Sequence, residues 1–253
     1  MITKAELKYY SDLNLKKYRN EEQKFIVEGP KLILEALTSN YECELILSSF
    51  RFFEDNPDYF NNKYVKKNNI ELIKQKELEK VCDTTTPQGI VAVFKVPDTN
   101  DTVETNDKKI VALENISDPG NIGTILRNCD WFGLKTVLLS ESCAEIYNPK
   151  VIRASAGSIF HLDIFNAKNF YDEIKNLKGN GYKVICSDIK GENVYNFIVP
   201  DKSIIVLSSE AHGPTDHVLT LSDHVITIPK KGKAESLNVA SASAVILSEL
   251  TRG

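Results

Sequence analysis

Arg127 is the side chain best placed by its neighbours to hold an anion. It closes the run Asn115-Ile116-Ser117-Asp118-Pro119-Gly120-Asn121-Ile122-Gly123-Thr124-Ile125-Leu126-Arg127, which follows the apolar stretch Ile110 to Leu113 and leads into Asn128-Cys129-Asp130-Trp131-Phe132-Gly133. A buried strand, a turn rich in Pro and Gly, and then a helix with free first-turn N–H groups can hold an anion or a ribose. An arginine about one turn inside such a helix offers a planar, two-donor fork to phosphate or carboxylate. The same spacing also suits an ordinary strand-turn-helix with a surface arginine. A second segment of this design runs from Ile226-Thr227-Ile228 through Pro229-Lys230-Lys231-Gly232 to Ser236-Leu237-Asn238.

The elements that would position these residues alternate. Apolar runs predict strands at Phe25 to Val27, Leu45 to Leu47 and Ile90 to Phe94, with helices at Thr3 to Ser11, Lys31 to Leu37 and Lys76 to Val81, which describes a small α/β domain. Further on, near-continuous apolar strands are expected at 110–113, 136–139, 183–186, 204–207 and 225–228, with helices near 124–131, 170–177 and 238–250. That pattern belongs to a mostly parallel sheet covered on both faces. The polar, aperiodic stretch Pro97 to Lys108 reads as a linker, so the expected division is 1–97, an acidic linker at 98–108, and 109–253. Of the five cysteines none forms a C-x-x-C pair, and the spacing of His212, His217 and His224 matches no common zinc pattern, so neither a disulfide framework nor a metal site is expected. A reducing cytoplasm fits that cysteine usage, and no apolar run approaches a membrane span.

Net charge is −4, but the linker stretch holds four acidic residues against one basic, and the two flanking parts are near neutral. Electrostatics neither demands nor excludes a nucleic-acid partner. Lys4, Lys8, Lys16, Lys17, Arg19, Lys24 and Lys31 give the start of the chain a local basic bias suited to a phosphate backbone, or to a solvated helix face interspersed with Glu6, Glu21, Glu22 and Glu28. No Gly-x-Gly-x-x-Gly turn follows the first strand of the second part, and there is no phosphate-binding Gly-Lys-Ser/Thr loop.

Three motifs in order resemble the SpoU family of RNA ribose 2′-O-methyltransferases. They are the Asn115 to Arg127 run with Phe132-Gly133; Asn148-Pro149-Lys150-Val151-Ile152-Arg153-Ala154-Ser155-Ala156-Gly157-Ser158; and Ile205-Val206-Leu207-Ser208-Ser209-Glu210 through Ile228-Pro229 to Ser236-Leu237-Asn238. Upstream, Phe25-Ile26-Val27-Glu28-Gly29-Pro30-Lys31 with Glu35-Ala36, and Thr86-Pro87-Gln88-Gly89-Ile90, look like the small substrate-binding domain that often precedes the family's catalytic domain. The resemblance implies S-adenosylmethionine as cofactor, ribosomal or transfer RNA as substrate, a C2 homodimer through the C-terminal domain, and a deep trefoil knot that nothing in the pattern itself would suggest.

By the same resemblance the catalytic set is Arg127, Asn121, Glu210, Ser236 and Asn238. Cofactor contacts fall at Leu207, Ser208, Ser209, Gly213, Ile228, Pro229, Ser236, Leu237 and Asn238, largely through main chain. With a pKa above about 12, Arg127 is better suited to bind a phosphate and a developing alkoxide than to act as a free base, although the family also allows a base role. Asn121 orients Arg127 or the ribose, or caps its helix; Glu210 pairs with Arg127 or orders its loop. The chain departs from the family at Ser208 and Ala211, where glycine is common, and at Pro214 and Lys230. Those departures leave open an RNA-binding protein of the same fold with weak or lost methyl transfer.

Overall fold

The computed structural model describes residues 2–98, 103 and 105–252. In chain order the first elements are α1 (Lys4–Asp12), α2 (Lys16–Glu22), β1 (Lys24–Glu28), α3 (Pro30–Thr38), β2 (Cys43–Ser49), α4 (Phe50–Asp55), α5 (Pro57–Asn61), β3 (Ile70–Ile73), α6 (Gln75–Val81) and β4 (Ile90–Lys95). There follow β5 (Lys109–Glu114), α7 (Pro119–Trp131), β6 (Thr136–Ser140), α8 (Pro149–Ser155), β7 (Asp163–Ala167), α9 (Phe170–Gly179), β8 (Lys183–Asn193), β9 (Ser203–Ser208), α10 (Asp216–Leu221), β10 (His224–Thr227) and α11 (Val239–Thr251). Of the expected linker, residues 99–102 and 104 lie outside the described residues.

The chain forms two compact units, and they do not follow the division drawn from sequence. One comprises residues up to 98 together with 145–160; the other comprises the described residues from 103 to 144 and from 161 on. In the first, a four-stranded sheet of order β1-β4-β2-β3 pairs antiparallel except for β2 with β3. One face packs Ile26, Leu47, Val91 and Val93 on Leu7, Leu78 and Val81 from α1 and α6. The segment 145–160, assigned by sequence to the second domain, is bound into this unit. Tyr147 stacks on Phe25 with ring centroids 4.5 Å apart, Tyr41 meets Phe160 edge-on at 5.2 Å, and the buried Arg19 guanidinium is paired with Glu145. Arg153 adds a 2.7 Å bond to Asp83.

The second unit is a six-stranded sheet, β10-β8-β9-β5-β6-β7, parallel throughout. Strands without polar alternation are buried on both faces. On one side Ile110, Ala112, Val184 and Val206 pack with Phe170, Ile174 and Leu177 of α9 and Val218 of α10. Helix α11 packs along α7, where the Asn128 amide donates to the Ala240 carbonyl at 3.1 Å and to Ser243 Oγ at 2.8 Å. The chain builds outward from β5 to β6 and β7, then returns to lay β9 on the other side of β5. Crevices at the carboxyl ends of strands at such a reversal are where ligands bind in open parallel sheets.

Candidate functional site

The residues picked out by motif converge at the carboxyl ends of β5 and β9. Helix α7 begins earlier than the sequence pattern suggests: Pro119 occupies its first turn, and the Asp118 carboxylate caps it by accepting from Asn121 N at 2.9 Å. Asn121 is therefore inside the helix rather than its cap, and its side chain is free for other work. Its Nδ2 donates to Glu210 Oε1 at 3.0 Å, and its Oδ1 accepts from Asn238 Nδ2 at 3.0 Å. Asn238 also donates to Glu210 Oε1 at 2.8 Å, while its own Oδ1 caps α11 by accepting from Ala240 N and Ser241 N. Val239 N completes the set with a 2.7 Å bond to Glu210 Oε1. One carboxylate thus gathers the start of α7, the start of α11 and the loop after β9.

Arg127 stands apart from this cluster. It is six residues beyond Asn121, about 9 Å along the helix axis, exposed, and without a hydrogen-bond or ion-pair partner among the described residues. The expected Arg127–Glu210 pair is not formed, because Glu210 is already engaged by Asn121, Asn238 and the α11 N-terminus. The expected orienting of Arg127 by Asn121 is likewise absent, since the Asn121 amide is spent on Glu210 and Asn238.

Beside the cluster lies a cavity of about 530 Å³ whose wall includes Ser208, Ser209, Glu210, Gly213, Ile228, Pro229, Ser236 and Leu237. Its apolar floor comes from Ile226, Val239 and Ile246, and its polar groups include Asp188 and Lys190. Leu207 is not on the wall; it is fully buried within β9. Asn238 is not on the wall either; it is exposed and donates to the Glu210 carboxylate. Gly213 adopts φ +65°, a conformation costly for a side-chain-bearing residue, and its N–H bonds back to the Ser209 carbonyl at 2.8 Å to close the loop. The volume and the mixture of apolar wall with a few polar groups suit a nucleoside-sized ligand.

Sequence reasoning missed Asp188 and Lys190, which lie on β8 beyond the expected 183–186, and it missed Glu114. The last residue of β5, Glu114 is fully buried and sits in register opposite Ser208. It accepts from Ser208 Oγ at 2.8 Å, Thr215 N at 3.2 Å, Thr215 Oγ1 at 2.5 Å and the Tyr171 hydroxyl at 2.9 Å. Burial and the adjoining Glu114 carboxylate hold the Tyr171 hydroxyl above its ordinary pKa, so it stays protonated and donates. Ser208 is itself buried with its hydroxyl committed to Glu114, so the departure from glycine does not bring a free polar side chain into the cavity.

Fold and site together define an enzyme of the parallel α/β class with a nucleoside-sized cavity at the reversal of strand order. Residues 108–248 match the model of the SpoU rRNA Methylase family, and the chain belongs to that family. Residues 4–92 match that of the MRM3-like substrate binding domain. Among curated relatives, the chain is 28% identical over 247 residues to the 23S rRNA (guanosine(2553)-2′-O)-methyltransferase RlmP of Bacillus subtilis, covering 97% of this chain and 95% of the relative. Among solved structures, a TrmH-family protein from Porphyromonas gingivalis aligns with TM-score 0.88 at 31% identity, over 99% of this chain and 98% of that one. The SpoU methyltransferase AviRb from Streptomyces viridochromogenes, solved in complex with AdoMet, shares the fold with TM-score 0.85 at 23% identity, over 99% and 98% of the two chains.

Proposed function

We propose that this chain transfers a methyl group from S-adenosylmethionine to a ribose 2′-hydroxyl of ribosomal or transfer RNA. The observation that carries the proposal is the Asn121–Glu210–Asn238 cluster at the edge of the cavity, which joins residues of the first and third motifs in one hydrogen-bonded set. The cavity fits the cofactor's chemistry: an apolar wall for the purine, and the carboxylates of Asp188 and Glu210 for a cationic ligand. When bound there, the cofactor supplies an electrophilic methyl on a sulfonium. This chain's residues do the rest. The loop at Ser208 to Gly213 and the Ile228 to Leu237 segment hold the ligand and exclude water from its apolar side, and Glu210, fixed by two amides, faces the cavity as an immobile carboxylate.

Arg127, exposed and unpaired, is in this proposal the group that meets RNA. Its guanidinium binds the phosphate next to the target ribose and stabilises the developing alkoxide as the 2′-hydroxyl proton passes to that phosphate or to water. Lys190, Lys230, Lys231 and Lys233, also without ion-pair partners among the described residues, add positive charge at and beside the cavity. The first unit is the substrate-recognising part, consistent with the family of its residues 4–92. A homodimer through the second unit, in a cytoplasm that keeps all five cysteines as free thiols, completes the proposal. Trp131 at 81% exposure and Ile198 at 89% are exposed apolar side chains of that unit. The knotted threading of the C-terminal segment belongs to this proposal too, on the family resemblance alone.

Isothermal calorimetry with S-adenosylmethionine and with its demethylated product tests the cofactor. Saturable binding of both is expected, and Leu237→Trp, which narrows the cavity, should weaken it. Folded protein giving no heat with either would count against the assignment.

A further inference from the structure

We infer that Glu114 is a positioning residue for the reaction: its carboxylate sets the shape of the loop that forms one wall of the cofactor cavity. The inference rests on the cofactor assignment above. Glu114 is buried, has no ion-pair partner among the described residues, and fills its acceptor positions with four donors. A carboxylate is costly to bury without a cation unless hydrogen bonds satisfy it, so each of those donors is held firmly.

Their locations give the carboxylate its role. Ser208 enters the loop and Thr215 leaves it, so both ends of Ser209 to Pro214 are fastened to one side chain. The Glu114 carbonyl also accepts from Ser209 N at 3.1 Å. Thr215 is in turn the cap of α10, accepting from Val218 N at 3.3 Å, and Tyr171 carries the tie to α9. Within the loop so held stands Glu210, which binds the first turns of α7 and α11. Glu114 therefore acts on the cavity through the loop ends and touches no reacting atom. Ser208 becomes intelligible in the same way: its hydroxyl supplies one of the donors the carboxylate requires.

The test separates hydrogen bonding from space filling. In Glu114→Gln the remaining carbonyl oxygen keeps the Ser208 and Thr215 N bonds, and the amide can donate to the Thr215 and Tyr171 hydroxyls; Glu114→Leu fills similar space and offers no acceptor. We expect the Gln variant to bind S-adenosylhomocysteine within about threefold of the native protein. The Leu variant should bind about tenfold to a hundredfold more weakly, the range for losing hydrogen bonds to a charged group. KM for the methyl donor should rise accordingly, with kcat changed much less. Hydrogen exchange of residues 208–215 in the ligand-free protein should quicken in the Leu variant alone. If that variant does not fold, Ser208→Ala and Thr215→Val remove donors singly and should each weaken binding severalfold. Leu and Gln variants alike in affinity and loop exchange would overturn the inference. Loop exchange that quickens while the native protein binds no cofactor would keep the tether and reject the cofactor assignment.

Discussion

Two groups of charged residues use their charges in opposite ways. In the second unit Glu210 is exposed and held by neutral amides, so its negative charge stays uncompensated at the cavity. In the first unit Glu145 and Asp83 are cancelled by Arg19 and Arg153, with Arg19 only 3% exposed. An exposed charge with neutral partners can answer a ligand at small cost, whereas a paired, desolvated one such as Arg19 with Glu145 is committed to the fold. The first and third motifs therefore build a site, while the second, at 148–158, works in this structure as a structural clasp on the unit that precedes it.

The contrast is sharpest if Arg127, alone on α7, acts on substrate. Arg127→Ala should lower single-turnover methyl transfer by about 10² to 10³, with cofactor affinity near native, and lysine should rescue poorly because the planar fork is lost. Native-like transfer by the Ala variant would remove Arg127 from the mechanism. On the structural side, Arg19→Ala leaves Glu145 unpaired. A loss of about 3 kcal/mol is expected in urea unfolding, the low end for a broken buried pair, because Glu145 keeps 16% of its side-chain exposure. A loss below about 1 kcal/mol would mean the pair behaves as a surface bridge.

Asn238 distinguishes cap from site within one residue. Asn238→Ala should cost about 1 kcal/mol through the lost cap and weaken transfer as well. Asn238→Asp keeps the capping oxygen but sets a second carboxylate against Glu210, so its unfolding midpoint should stay near native while transfer falls. Equal loss of stability in both variants would show that the amide's donors, not its cap, hold α11. The smallest effect is expected from the exposed lysines. Replacing Lys230, Lys231 and Lys233 together by Ala should reduce the salt dependence of binding to a labelled single-stranded RNA by about 2 in log–log slope. An unchanged slope would take these lysines off the RNA path.

What the sequence made legible follows from how local each signal is. The strands β5, β6, β8 and β9 were readable because a sheet buried on both faces leaves unbroken apolar runs such as Ile110 to Leu113. Edge strand β7, with exposed Asp163 and Asn166 among its apolar residues, carries no such run and was missed, as was the half-exposed β3. The start of α7 was signalled by Asp118-Pro119, but Gly120 and Gly123 disguised it as loop. Asn121, Glu210 and Asn238 were found by motif, whereas their bonding was not: the Arg127–Glu210 pair expected from opposite charge lost to amides brought close by packing. Glu114 was invisible because a glutamate ending an apolar strand reads as the point where the chain meets water, and its partners lie 57 to 101 positions further on. The attachment of 145–160 to the first unit was hidden likewise, since Arg19 and Glu145 are 126 positions apart.

The central claim is ribose methylation of RNA at the cavity between the loop after β9 and the loop before α11. Mapping 2′-O-methylated nucleotides in total RNA from cells with and without the gene tests it most directly, followed by incubation of the unmethylated RNA with purified protein and S-adenosylmethionine. The account predicts a ribose methylation that disappears with the gene and is restored by the native protein but not by Arg127→Ala. An unchanged map, or a restored methyl group carried on a base, would contradict it.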